Sequence, residues 1–412
     1  CGIPTPFARA IVPTAVPRHC RAMASLNIGI VGAGIGGLAA AALLAQDGHR
    51  VTIAERFATP RPLGSGLVVQ PVGLAVLDAL GAGDGARAVG QPIARMLGHA
   101  GKRVVLDVRY RPAAPGLAMH RAALFHLLWQ AAARAGVTME TGEAVTDAPL
   151  RPGGAGRLIL RERAPPLGPF DLVVDAGGAG SALSPLRARA LPFGAIWGHV
   201  PWPGDAALPQ DRLTQRYLGA HRMAGVLPIG RLPDDPGPRA AVFWSLPRPA
   251  LDRWAKTNLA AWKAEVAAFW PEMAPFLVPL TGTADMTPAR YSHGTLRRPF
   301  APRLLHLGDA AHRASPQLGQ GANMALLDAM ALAQALRQGP ADTAAERQAR
   351  IRRTHVAAYQ AMSAAFTPMY QSDSRALPLI RDHLLAPLSR LPGVRHLLTA
   401  LVSGDLVPPL GR

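Results

Sequence analysis

The chain has 412 residues, 49% of them hydrophobic and 17% charged. That balance excludes a disordered chain and leaves room for one large or two ordinary domains with a sizeable core. Lys and Arg number 44 against 26 Asp and Glu, a net charge of +18, but the cations are scattered arginines without a basic run, so no nucleic-acid partner is expected.

Residues 1–22 are rich in Pro and Arg, hold no acid and lack the continuous apolar core of a signal peptide. The stretch up to residue 25 is read as a leader or upstream extension outside the fold, with a start at Met23. Cys1 and Cys20 both lie in it, so the body has no disulfide and no Cys-based metal site. That fits a reducing compartment and a cytoplasmic location. No metal is expected, and no apolar stretch is long enough for a transmembrane segment.

The first element reads IGIVGAGIGG, residues 28–37. A short apolar strand runs into Gly32, Gly34 and Gly37 at G-x-G-x-x-G spacing, and LAAAALLAQ continues as a helix. Gly32 permits a tight turn, Gly34 a close approach to a pyrophosphate, and Gly37 close packing of helix on sheet. Ala33, Ile35 and Gly36 complete the turn, and the helix N-terminus offers N–H groups to phosphate. The next strand, VTIAE, ends at Glu55, about twenty residues on, where a ribose-binding acid belongs. The pattern predicts a dinucleotide, either NAD or the adenosine half of FAD.

Residues 119–128, MHRAALFHLL, open a helix, and DLVVDAGGAGS, residues 171–181, is a strand leaving through a glycine turn. Residues 190–290 carry alternating apolar segments between Pro and Gly, which read as sheet strands. Trp197, Tyr217, Met223 and Trp244 are their candidate pocket walls, because sites for flat ligands are mostly apolar. Residues 250–272 read as amphipathic helix with Trp254, Trp262 and Trp270. A further strand, LLHLGDAAH at 304–312, passes through the loop RASPQLGQGAN into the helix MALLDAMALAQALRQG. Residues 343–405 read as helices broken at Pro368, Pro378, Pro387 and Pro392, packed on the preceding domain or on a partner subunit.

GAGIGG with Glu55, GDAAH at 308–312 and PQLGQGAN at 316–323 together resemble the FAD-dependent aromatic hydroxylases. These are single-component flavoprotein monooxygenases with the p-hydroxybenzoate hydroxylase fold. The resemblance runs over about residues 26–405. It implies an α/β fold: a discontinuous FAD-binding Rossmann-like domain (26–190 and 285–340), an inserted mixed β-sheet substrate domain (191–284) and a C-terminal helical tail (341–412). It implies FAD as cofactor and NAD(P)H as transient reductant. An aromatic or similar electron-rich small molecule is then hydroxylated with O2 through a flavin hydroperoxide. A homodimer is compatible with it.

The resemblance also assigns residues. Asp309 matches the acid on the ribityl chain. Gly319, Gly321, Ala322 and Asn323 match the segment whose backbone faces the pyrimidine edge of the flavin, and Pro316 matches the residue beside the ring where oxygen reacts. Arg121 matches a cofactor-contacting Arg, and Val145 a backbone contact to adenine. Arg56 follows Glu55 in the same grip. His312 is read as ordering the loop rather than moving protons. No catalytic base is assigned.

One motif departs. The family has Asp where this chain has Gly177, and Asp175 stands two positions earlier. Residues two apart share a strand face, so Asp175 is read as a partial substitute, and slow reduction or an unusual donor is expected. The alternatives are a halogenase or reductase of the same fold, or an FAD binder with lost activity. The halogenase stretch W-x-W-x-I-P is absent.

Overall fold

A computed structural model describes residues 24–59, 66–151, 156–232 and 235–411. The expected leader lies outside the described residues as far as Met23.

The first layer is a parallel sheet. Its elements are β1 (Asn27–Val31), α1 (Ile35–Gln46), β2 (Arg50–Glu55), α2 (Arg121–Arg134), β3 (Thr138–Thr141), β4 (Leu172–Asp175), β5 (Leu304–His306), α3 (Gly321–Arg337) and α4 (Ala344–Tyr370). The strand order is β5-β4-β1-β2-β3, with the short antiparallel strand Phe300–Ala301 beyond β5. The central strands β1 and β4 are buried on both sides because both faces are covered. Ile28 and Ile30 of β1 point at α1, Leu124 of α2 and Leu326 and Leu327 of α3. Val31, Ala54 and Val173 point the other way, onto Ile159 and Phe170 of a small antiparallel sheet spanning residues 145–170. Gly29 admits Phe170, whose Cδ2 lies 2.6 Å from where a Cβ would stand.

The second layer has eight strands, in the order His312–Arg313, Thr287–Thr295, Arg189–Pro201, Arg239–Pro247, Arg222–Pro228, Arg212–Leu218, Arg95–Ala100 and Arg103–Arg109. It is mixed, since Arg212–Leu218 runs parallel to Arg95–Ala100 and the other pairs are antiparallel. Its strands are not confined to residues 191–284. Five lie partly or wholly outside that range, and the expected boundary at 190 falls inside a strand. Patterning marks a segment as a strand, but its partner is chosen by register and topology.

One face of this sheet carries Ile196, Val242 and Trp244 against Trp254, Trp262 and Trp270 of the 248–280 helical segment. The opposite face carries Trp197, Tyr217, Met223 and Phe243. α4 runs through Pro368 to Tyr370, so the break expected there falls two residues later. A proline in the last turn removes a single N–H bond, and Ser363 O, which it leaves unaffected, also accepts from Thr367 Oγ1 at 2.6 Å.

Candidate active site between two glycine loops

β1 ends at Val31, and the chain turns at Gly32 with φ +96°. A Cβ on Gly32 would stand 2.7 Å from Ala176 O, and one on Gly37 would stand 1.9 Å from Gly32 O. These two glycines close the turn by contact. Gly34 differs. A Cβ there would meet no atom within 4 Å. Gly34 is the N-cap of α1, with no capping side chain and no acid in the first turn. The opening N–H groups of α1 therefore face open space beside a positive dipole end.

Glu55 reaches back to this turn. Its Oε2 accepts from Ala33 N at 2.7 Å and its Oε1 from Phe57 N at 3.1 Å. The Arg56 guanidinium lies 4.8 Å from the Phe57 ring centre and beside Gly180. Val145 packs with Val31 and Ala54 at the ends of β1 and β2. Arg121 is the exposed first residue of α2. His120 caps that helix, its Nδ1 accepting from Ala122 N at 3.1 Å.

The second loop leaves β5 through Gly308, φ +54°. Asp309 is exposed, and its carboxylate pairs with none of the described residues. Pro316–Leu318 forms one 3-10 turn, ended by Gly319 at φ +61°. α3 then begins at Gly321, with neither a capping side chain nor an acid in its first turn. Cβ atoms at Gly36 and at Gly308 would each lie 3.3 Å from Ala325 Cβ. The first turn of α1 thus touches the N-terminal part of α3 at Ala325, and neither helix has a side chain capping its opening N–H groups.

Beneath the loop sits a buried hub that the sequence reading missed. Asp328, inside α3, accepts from His312 Nε2, Arg352 Nε and Gly308 N at 2.7, 2.7 and 3.0 Å. Burial opposes the charged form, yet His312 and Arg352 hold the Asp328 carboxyl well below the usual carboxylate range. His312 is thereby tied to the body of α3. The single signal available was one acid in the apolar run MALLDAMALA. Asn323 is equally buried, accepting from Gln70 N at 2.8 Å and donating to Val68 O and Gly319 O. Its side chain ties the loop to strand Gly66–Val69, whose partner strand ends beside Arg121.

Asp175 does not act as a stand-in at 177. It is wholly buried, with Oδ2 2.7 Å from His306 Nδ1 and Oδ1 accepting from Ser181 Oγ and Gly177 N at 2.7 and 3.0 Å. All its capacity goes into fastening the 177–181 turn to β5. A Cβ on Gly177 would lie 3.2 Å from Asp175 Oδ1.

Three of the four candidate pocket walls come together. Trp197, Tyr217 and Met223 share one sheet face with Phe243, and Gln317 of the second loop sits 3.9 Å from Met223 Sδ. Trp197 Nε1 donates to the Tyr291 hydroxyl at 2.7 Å. Trp244 is the exception. It follows Phe243 on the strand, so it points to the other face and is core among Trp254, Trp262 and Trp270. Phe243 and Tyr291 were missed, since one alternating strand does not show which face is inward.

The family model for the FAD binding domain matches residues 25–149 and 262–360. The 6-methylpretetramide 4-monooxygenase of Streptomyces rimosus is 27% identical over 428 residues, covering 95% of this chain and 96% of its own. The FAD-dependent urate hydroxylase of Klebsiella pneumoniae is 26% identical over 335 residues, covering 75% and 81%. Among solved structures, Klebsiella pneumoniae HpxO complexed with FAD and uric acid shares the fold at TM-score 0.78 and 21% identity, over 92% of this chain and 98% of that one. With two uncapped helix N-termini in contact and this family match over both of them, the chain belongs to the FAD-binding family of flavoprotein monooxygenases.

Proposed function

We propose that this chain hydroxylates a planar, electron-rich aromatic molecule bound between the 315–319 loop and the sheet face of Trp197, Met223 and Phe243. The contact of the α1 and α3 N-termini carries the reading. Two adjacent sites free of side-chain acceptors suit a ligand with two electron-rich regions, the diphosphate and the pyrimidine edge of FAD. When bound, FAD supplies the redox chemistry, taking a hydride from NAD(P)H and activating O2 so that one oxygen goes to the ring and one to water.

The chain's own residues bind, orient and exclude water. The turn Gly32, Ala33, Gly34, Ile35, Gly36 and Gly37 receives the diphosphate. Glu55, with lone pairs left beyond its two backbone bonds, accepts from ribose hydroxyls. Asp309, exposed and unpaired among the described residues, accepts from the ribityl chain. Arg56, Arg121 and Val145 flank the nucleotide half. The backbone at Gly319, Gly321, Ala322 and Asn323 favours negative charge on the pyrimidine edge, at a helix N-terminus. Pro316 and Gln317 face the reacting side. Trp197, Tyr217, Met223, Phe243 and Tyr291 wall off water, which keeps activated oxygen for the substrate.

The test is turnover of the FAD-loaded protein under ¹⁸O2 with NADPH or NADH and a panel of phenols, anilines and hydroxylated heterocycles. One labelled oxygen in a product ring is expected. NAD(P)H consumption that ends only in peroxide with every ring would overturn the proposal.

A further inference from the structure

The C-terminal helical segment has one face packed and one bare. Residues 376–388 run as continuous helix whose middle turn, Arg381–Leu385, has π geometry. Pro378, Arg381 and Ala386 point inward and are buried. Arg381 sits between the rings of Tyr217 and Tyr370, about 5 Å from each centre, and donates to Gly219 O and Met369 O. Ile380, Leu384 and Leu388 repeat every four residues on the outer side, all exposed, beside Leu379 at 60%. Leu391 and Leu397 continue the apolar surface into the next helix, Pro392–Ser403. So many bare aliphatic side chains in one stretch mark a contact surface.

Charge decides what covers it. Arg375, Arg390 and Arg395 are exposed among these residues, with His383 and His396. Arg103 Nη1 lies 2.8 Å from the His383 ring nitrogens, which brings the Lys102–Arg103 turn alongside. From 373 to 405 the acids are exposed Asp373, Asp382, paired with Arg381 at 2.6 Å, and Asp405, paired with Arg111 at 2.6 Å, so the exposed cations outnumber the acid left unpaired among the described residues. A second copy docking by two-fold symmetry would set these cations against their own kind. An anionic surface is complementary, and the whole chain carries +18. Aliphatic side chains interleaved with cations and nearly free of acids are the mark of helices that lie in a lipid interface.

We propose that this face docks on an anionic bilayer surface. Leu384 and Leu388 enter the boundary between headgroups and acyl chains, and Arg390 and Arg395 meet lipid phosphates. Peripheral docking needs no spanning helix, and no described helix is long and apolar enough to span.

The test is sedimentation of the FAD-loaded full chain with vesicles of phosphatidylcholine and phosphatidylglycerol, against phosphatidylcholine alone. Binding to the mixed vesicles only, weakening as salt is raised, is expected. Leu384→Ser with Leu388→Ser, and separately Arg390→Glu with Arg395→Glu, should each lower partitioning about tenfold. Flavin absorbance and thermal midpoint should stay unchanged, because all four side chains are exposed. Equal binding to both vesicle types, or none, overturns the proposal on the unaltered protein. So does a dimer in light scattering that the leucine variant abolishes while vesicle binding persists.

Discussion

His312 Nε2 donates to Asp328 Oδ2 across 2.7 Å, and this bond ties the Asp309 loop to the middle of α3. Arg352 takes the other carboxylate oxygen and also donates to Pro409 O near the C-terminus. One buried acid thus joins the loop, two helices and the tail. Asp328→Asn leaves Arg352 buried without its counter-charge, and about 3–5 kcal/mol of stability should be lost. The pH dependence has a definite sign. The folded carboxyl lies below its unfolded value, so its contribution is present above about pH 4 and lost as pH falls further. Urea unfolding from pH 7 to pH 3 checks both points. The slope below pH 4 should be shallower in the variant.

Gly34 and Gly37 sit three residues apart in one motif but answer to different constraints. Gly37→Ala drives a Cβ onto Gly32 O and should cost about 3 kcal/mol, with loss of the turn. Gly34→Ala meets open space at φ −75°, so thermal stability should hold within about 1 kcal/mol. FAD affinity should still fall about tenfold, because the methyl group would stand in the proposed diphosphate site. Thermal unfolding of the apoprotein and flavin titration separate the two effects.

Gly177→Asp introduces the acid expected from the family resemblance and puts a second carboxylate against Asp175. It should destabilise the fold by about 1–3 kcal/mol and leave flavin reduction no faster. Asp175→Asn with Gly177→Asp removes the repulsion while keeping acceptors for Ser181 and Gly177 N. The double variant should recover stability and reduce faster with NAD(P)H in stopped-flow absorbance. Equal rates in all three proteins would show that residue 177 does not limit reduction.

Trp197 and Trp244 lie on opposite faces of one sheet. Trp244→Ala should cost about 3–5 kcal/mol, as expected for a fully buried tryptophan. Trp197→Ala should cost less. It should raise the substrate KM and the share of NAD(P)H lost to peroxide, since it opens the proposed pocket to water. Product yield per NAD(P)H consumed, set beside the unfolding midpoint, distinguishes them.

Local chain order was enough for several features. The Gly32–Gly37 turn, Glu55 at the end of its strand and the glycine loop before α3 each depend on neighbours within about twenty residues. Strand periodicity, turn chemistry and helix propensity act over that distance, so these motifs were readable as text. The net charge and the paucity of cysteine were likewise present without a fold.

Tertiary structure alone decided the remainder. Asp175 and Asp309 look alike as acids at strand ends, yet one is sealed by His306 and Ser181 and the other faces open space. Trp197 and Trp244 look alike as aromatic strand residues, and the sheet face separates them. Asp328, Arg352 and His312 come together from three elements, and the hairpin of Arg95–Ala100 and Arg103–Arg109 joins a sheet whose other strands lie between residues 189 and 313. Burial and pairing depend on which distant segments meet, and nothing in local periodicity encodes that meeting.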